Sequence, residues 1–302
     1  MNKKIRVAVT GYGNIGKYAI DAVKKSPDME LAGIVRRKSA VNDVLNMHTN
    51  IPIVSDICEL EKPDVALLCC PSRLISEIAE QYLKLGINTV DSFDIHGEPL
   101  WNLRKQLDET GKKYNSVAII SAGWDPGSDS VIRFLLESME PNGITYTNFG
   151  PGMSMGHTVV AKSKKGVRNA LSITIPEGKS VHSRLIYVEL EPDGDFYAVE
   201  KDIKSDDYFV KDNTTVKQVD DVNALINTQH GVLIERKTIS DSLQHQFFEF
   251  RMKINNPELT AQIMVSCGRA TMRQKYGAYT MPEIPVIDLL PGDREMLIKK
   301  MV

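Results

Sequence analysis

The chain has 302 residues, 42% hydrophobic and 25% charged, and a formal net charge of −2. That length predicts two domains or one with a large insertion, and the near-neutral charge leaves no basic footprint for nucleic acid. No apolar run reaches the length of a membrane span, and the N-terminal apolar stretch is too short and too broken by glycine for a signal peptide. The four cysteines, Cys58, Cys69, Cys70 and Cys267, show no C-x-x-C spacing, so the expectation is a reduced, cytoplasmic protein without disulfides or a metal site.

The first element is an apolar run from Lys3 to Thr10 that enters Gly11-Tyr12-Gly13-Asn14-Ile15-Gly16. Lys17 to Val23 follows with helical apolar spacing. A G-x-G-x-x-G turn between strand and helix is the dinucleotide fingerprint. Gly11 permits the tight turn, Gly13 lets the backbone approach a pyrophosphate, and Gly16 lets helix and strand pack closely. The helix N-terminus offers unpaired N–H groups to phosphate. The second strand starts at Met29 and ends in Arg36-Arg37-Lys38. An NAD enzyme places an acid there, against the ribose 2′-OH. Three cations instead predict a 2′-phosphate, hence NADP.

A short strand is expected around Ile51–Val54. Asp64 to Cys70 is a continuous apolar strand, typical of a parallel sheet covered on both faces. A helix with Ile75, Ile78, Ala79, Tyr82 and Leu83 on one face comes next, then a strand at Asn88–Val90 that ends in Asp91-Ser92-Phe93-Asp94. Another helix spans about Pro99 to Tyr114. A strand at Val117–Ile120 runs into Ser121-Ala122-Gly123-Trp124-Asp125-Pro126-Gly127. The alternation predicts a Rossmann-type doubly wound sheet, with ligands beyond the carboxyl ends of its strands. Past residue 140 the strands alternate apolar and polar: 144–149, 181–190, 231–238 and 246–254. They predict a second α+β domain on a mainly antiparallel sheet. A helical period returns from Pro257 to Tyr276. The expected division is residues 1–122, completed by 277–302, for the dinucleotide, and 123–276 for substrate and dimerisation.

Phe149-Gly150-Pro151-Gly152-Met153-Ser154-Met155-Gly156-His157 is a glycine-rich loop suited to close backbone approach. Alone it reads equally as a plain turn. His182 and Arg184 share a strand face, and Arg184 reads equally as a carboxylate clamp or a surface charge.

Taken together, the GYGNIG turn with Arg36-Arg37, the DSFD and SAGWDPG stretches, the GPG and GH pieces, His182-Ser183-Arg184, Asn256-Pro257 and Cys267-Gly268-Arg269-Ala270 resemble the meso-diaminopimelate dehydrogenases along nearly the whole chain. The resemblance implies reversible NADP-dependent oxidative deamination at the D-centre of meso-2,6-diaminopimelate, in lysine or cell-wall precursor biosynthesis. It implies Asp91 and Asp125 as carboxylates at the reacting end, with Asp94 nearby, and a loop at Met155 and Gly156 holding that end's carboxylate. Where some members carry Gln, this chain has Met155. The same resemblance implies Thr174, Arg184 and His230 as a clamp on the distal carboxylate, Arg184 and His230 supplying positive charge, and Asn256 near the distal amine. Trp124 and Phe149 would shape the pocket. Cys70, Pro71, Ser72 and Asp91 would join the glycine turn on the cofactor. A homodimer through the second domain is expected. Two other readings stay open: a different NADP-linked reductase, of dihydrodipicolinate-reductase or sugar-oxidoreductase type, and a non-catalytic NADP-binding redox sensor, which would have no need of the Asp, Arg and His cluster.

Overall fold

The computed structural model describes residues 3–38, 51–150, 152–178, 181–225, 230–238 and 246–302. Pro151 of the glycine-rich loop lies outside them. The chain divides into two compact units, residues 1–131 with 257–302, and residues 132–256.

The first unit is built on seven parallel strands in the order β14-β6-β5-β4-β1-β2-β3. They are β1 (Ile5–Thr10), β2 (Met29–Val35), β3 (Ile53–Val54), β4 (Val65–Leu68), β5 (Asn88–Asp91), β6 (Val117–Ile120) and β14 (Gly277–Thr280). The order reverses direction at β1, which lies between β2 and β4, and the glycine turn follows β1. A doubly wound sheet opens its ligand crevice at such a reversal.

Period-2 alternation explains why these strands read as unbroken apolar runs. Val7, Val9, Val65, Leu67, Val90 and Ile119 bury into one core. Ala8, Ala66, Leu68, Ala118 and Ile120 bury into another, with Leu83 and Leu107 of the helices Ile75–Lys84 and Glu98–Tyr114. With helices on both faces, neither face can be polar. Helix α1 (Asn14–Lys25) joins the first core through Ala19, Ile20 and Val23. So does the helix Asn256–Thr271, where a Cβ on Gly268 would sit 3.4 Å from the Leu67 side chain. That helix ends five residues short of the expected Tyr276. The chain then adds β14, which the sequence did not suggest, beside β6. Gly-Ala-Tyr-Thr is short and has one β-branched residue, so its strand character comes from the vacant sheet edge rather than from propensity. Arg269, 4% exposed, secures the C-terminal segment by a two-pronged ion pair to Asp28 and a bond to the Leu289 carbonyl.

The second unit holds two sheets. One has the order β11-β10-β9-β8 and the other β13-β12-β7. The strands are β7 (Gly143–Phe149), β8 (Gly152–Met153), β9 (Val167–Gly178), β10 (Val181–Leu190), β11 (Asn213–Gln218), β12 (His230–Thr238) and β13 (Phe247–Ile254). All neighbours are antiparallel except β10 and β11, which pair in parallel. Ala170 of β9 and Ile186 and Val188 of β10 face the helices Met155–Lys162 and Phe196–Lys204, in a core with Ala161, Val199, Ile203 and Phe209. Leu171, Ile173, Leu185 and Tyr187 face the other way. By the same alternation Thr174 and Arg184 belong to the helix-covered face.

Candidate active site

In the first unit, each glycine of the turn is required for a different reason. Gly11 has φ +104°, and a Cβ on it would lie 2.2 Å from the Cys69 carbonyl oxygen. A Cβ on Gly16 would lie 2.4 Å from the Gly11 oxygen. At Gly13 a Cβ would meet nothing within 4 Å. The first two glycines are therefore needed by the chain itself, and the third keeps open space above the backbone where α1 begins. Gly13 caps α1 without a side-chain bond, and the first turn carries no acid. Residues so arranged fit a dinucleotide pyrophosphate.

That space belongs to a cleft of about 560 Å³ lined by Gly11, Tyr12, Gly13, Arg36, Arg37, Cys70 and Pro71, among others. Asn14, Ile15, Gly16, Ser72 and Asp91 do not line it. The third cation is Arg73, not Lys38: Arg73 lines the cleft from the turn after β4 and Lys38 does not. The guanidinium of Arg36 stands 5.5 Å from the centre of the Tyr12 ring, and Lys17 reaches the same ring at 5.5 Å. Among the described residues no carboxylate forms an ion pair with Arg36, Arg37 or Arg73. The cleft is thus cationic without internal compensation. Cys70 remains a thiol there, since burial lifts it to about 11.

Beyond β5 and β6 the two acidic loops are tied together. Ser121 donates its N–H to Asp91 Oδ1 at 3.1 Å and its hydroxyl to the Phe93 carbonyl at 2.8 Å, and Ala122 N–H donates to the Asp91 carbonyl at 2.7 Å. The GWDPG turn closes on itself, Gly123 N–H bonding the Pro126 oxygen and Ser128 N–H the Gly123 oxygen. Of residues 121–127 only Trp124 and Asp125 escape burial.

Asp91 differs from its expected role at the reacting end. Its exposure is 0%. Oδ1 accepts from the N–H of Phe93 and of Ser121, and Oδ2 has no hydrogen-bond partner among the described residues. Such a carboxylate organises backbone and meets neither solvent nor cleft. Three residues on, Asp94 is exposed, and Ser72 donates its hydroxyl to Asp94 Oδ1 at 2.6 Å. The second acid of DSFD is the accessible one. Burial raises Asp91 to about 6, against the opposing pull of its two N–H donors. A raised carboxylate gives stability that is complete below its ordinary value of 3.8 and lost as pH rises through about 6. Asp91→Asn, which keeps the acceptor oxygen, is therefore expected to gain on the wild type across that window, by on the order of 3 kcal/mol at pH 7 relative to pH 4. Urea unfolding at both pH values checks this; a constant difference between the two proteins would refute it.

In the second unit, register lines up Gly152, Thr174, Arg184 and Thr214 across the four-stranded sheet. Arg184 donates from Nε to Asp212 Oδ2 at 2.6 Å and from Nη1 to Thr174 Oγ1. The guanidinium is thus a half-buried, oriented group on the helix-covered face. His157 stands beside Arg184 and Asp212, its Nδ1 2.8 Å from Ser154 Oγ and its ring edge-on to Tyr208 and Phe209. Burial first, and then the Arg184 charge, lower its pKa. Met155 and Gly156 open the helix that carries His157. His230 begins β12, and burial lowers its pKa too. Burial therefore favours the neutral imidazole at His230. Phe149, at the end of β7, is 47% exposed with the Arg133 guanidinium 5.9 Å from its ring centre. Asn256 is the first residue of the helix Asn256–Thr271. Asp212 and Arg73 went unnoticed in the sequence, because an acid among the charges of residues 206–212 and a cation at a helix start both read as solvated.

Comparison with known proteins fits this architecture. Residues 5–90 match the model of the oxidoreductase family with an NAD-binding Rossmann fold, and residues 123–182 match that of the diaminopimelic acid dehydrogenase C-terminal domain. The meso-diaminopimelate D-dehydrogenase of Bacteroides fragilis is 54% identical over 300 residues, covering 99% of this chain and all of that one. The solved structure of the C. glutamicum DAP dehydrogenase in complex with DAP superimposes with a TM-score of 0.71 at 29% identity, covering 99% of this chain and 100% of that one. An engineered D-amino acid dehydrogenase bound to NADP+ gives 0.69 at 27% identity with the same coverage. Identity of this level along the full length, with the Rossmann unit and the second unit both accounted for, establishes that the chain belongs to the meso-diaminopimelate D-dehydrogenase family.

Proposed function

We propose that this chain catalyses the reversible NADP-dependent oxidative deamination of meso-2,6-diaminopimelate at its D-centre, giving L-2-amino-6-oxoheptanedioate, ammonia and NADPH. The observation that carries the substrate reading is the oriented guanidinium of Arg184 with Thr174 beside it, suited to a distal carboxylate. Asp94 and Asp125, the accessible acids of the two tied loops, serve the reacting ammonium. A nicotinamide cofactor held by the glycine turn, Arg36 and Arg37 would supply the hydride acceptor. Hydride leaves Cα only from the neutral amine, because the product is an iminium. Asp125 takes the ammonium proton, directly or through water. Asp94, still ionised, then favours the iminium by charge, and water adding at the iminium carbon gives the oxo acid and ammonium, with the Asp125 proton passing to solvent. The buried Asp91 keeps both loops in place and does not transfer the proton.

NADP is preferred to NAD because Arg36, Arg37 and Arg73 line the cleft and match a 2′-phosphate. The test is absorbance in the nicotinamide band: NADP with meso-diaminopimelate gives growth, while lactate or sugars in its place give none. No growth with meso-diaminopimelate would overturn the reading.

A homodimer through the second unit accompanies this reading. Ile144 and Phe247 both pair with Lys237, so they share one sheet face, and they are 40% and 57% exposed. Apolar side chains grouped on an open sheet face invite cover by a second subunit. Light scattering at micromolar concentration is expected to give at least the dimer mass; a monomer mass would sink the proposal.

A further inference from the structure

Asp212 has no part in the family resemblance, yet its carboxylate pairs with the Arg184 guanidinium at 2.6 Å. Its place is fixed by the fold. Asp212 N–H donates to the Phe209 carbonyl at 3.0 Å, and Thr214 Oγ1 donates to the Asp212 carbonyl at 3.3 Å and to that of Phe209 at 3.4 Å. Phe209 is 1% exposed and anchors the turn in the core. From there Asp212 Oδ2 takes the Nε edge of Arg184. Its other oxygen, Oδ1, has no hydrogen-bond partner among the described residues and is not sealed from solvent, the side chain being 25% exposed.

A guanidinium has two usable edges. Asp212 occupies the Nε edge and Thr174 one N–H of Nη1. The remaining Nη donors stay available to a ligand carboxylate. Charge then decides what ligand suits the site. Arg184 and Asp212 sum to zero, and burial together with the Arg184 charge favours the neutral form of His157 beside them. A bare carboxylate would bring an uncompensated negative charge to a half-buried neutral pair, which is costly. An α-amino acid end brings none. Its carboxylate meets the Nη donors, and its ammonium, attached to the next carbon, meets an acceptor oxygen.

We propose that Asp212 is a specificity-determining residue of the Arg184 site, holding the guanidinium plane and accepting the distal ammonium alongside the Asn256 that the resemblance implies there, so that the site selects a zwitterionic α-amino acid end over a plain carboxylate. The inference rests on the reading of Arg184 as the distal-carboxylate group. It concerns the amine on that end, which the carboxylate clamp alone does not read.

Two ligands isolate the effect: meso-diaminopimelate, and D-2-aminopimelate, which has the same chain and both carboxylates but lacks the distal ammonium. Calorimetric titration of each into the NADP-loaded protein gives a ratio of affinities. The wild type is expected to favour meso-diaminopimelate by about 10-fold or more, since a polar group left unpaired discriminates at least that strongly. Asp212→Asn, which retains an acceptor for Nε but loses the charge, is expected to collapse that ratio towards one, by weakening meso-diaminopimelate and not D-2-aminopimelate. Asp212→Ala should collapse it as well, with both ligands weaker because Arg184 is no longer held. An unchanged ratio in Asp212→Asn overturns the proposal and leaves Asp212 as a support for Arg184 alone. A wild type that does not distinguish the ligands overturns it too. Failure of the underlying reading looks different: Arg184→Met would then bind both ligands as the wild type does.

Discussion

Arg184→Met is expected to lower kcat/KM for meso-diaminopimelate by up to about 10⁴, the scale on which a site built for a polar group rejects its absence. The substitution removes the guanidinium and deprives both Thr174 and Asp212 of their partner. D-Alanine, too short to engage Arg184 while its own amine is at the reacting end, is expected to lose far less. Arg184→Lys keeps the charge without the fork and should fall between, because a point charge cannot hold Asp212 and a carboxylate in one plane. Asp125→Asn behaves differently: it acts at the end that both substrates share, so turnover falls with each. The LL-isomer is expected to be inert. Held by the same distal carboxylate, it turns the Cα hydrogen at its other end away from the nicotinamide, and near-attack geometry is lost. The measurement is kcat/KM for wild type and variants on the three amino acids, with circular dichroism to confirm folding. If Arg184→Met depresses meso-diaminopimelate and D-alanine equally, Arg184 belongs to the fold or to the reacting end, and the clamp is wrong.

The parts of this molecule that were legible in the sequence are those set by local rules. Buried parallel strands show as apolar runs because both faces are covered, as Val65 to Leu68 is by its two cores. The glycine turn shows because backbone geometry admits no side chain at Gly11 and Gly16. What was not legible depends on contacts far apart in the chain. Arg184 reads equally as clamp or surface charge until a parallel strand, thirty residues on in the numbering, brings Thr214 into register and Asp212 to its Nε. Asp91 and Asp94 are equivalent as letters in DSFD. They separate only when Ser121 of the next strand end binds the first and buries it. Arg73 could have been suspected, since it begins a helix at the carboxyl end of β4, where ligands of such sheets gather. Lys38 was a reasonable third cation by sequence, but it lies beyond the edge of the cleft lining.

The double variant Arg36→Ala with Arg37→Ala is expected to weaken NADP by about 100-fold or more, and NAD far less. Among the described residues no carboxylate pairs with Arg36, Arg37 or Arg73 of the cleft lining, so a 2′-phosphate would find their donors uncommitted. Each charge-assisted bond contributes about 1.5–3 kcal/mol at most, and every 1.4 kcal/mol is about tenfold in affinity. The two arginines do not contribute equally. Arg36 is half-buried and braced against the Tyr12 ring at 5.5 Å, so it loses little freedom on binding. Arg37 is exposed, and solvent screens its share. Arg36→Ala alone should therefore account for most of the loss, and the residual NADP affinity of the double variant should fall again when Arg73→Ala is added. Raising the salt concentration should erode wild-type NADP binding more than that of the double variant, since screening acts on the charges the variant has lost. Dissociation constants for NADP and NAD, measured on wild type and each variant at two ionic strengths, decide the matter. Equal losses for both cofactors would mean that Arg36 and Arg37 shape the cleft without reading the 2′-phosphate.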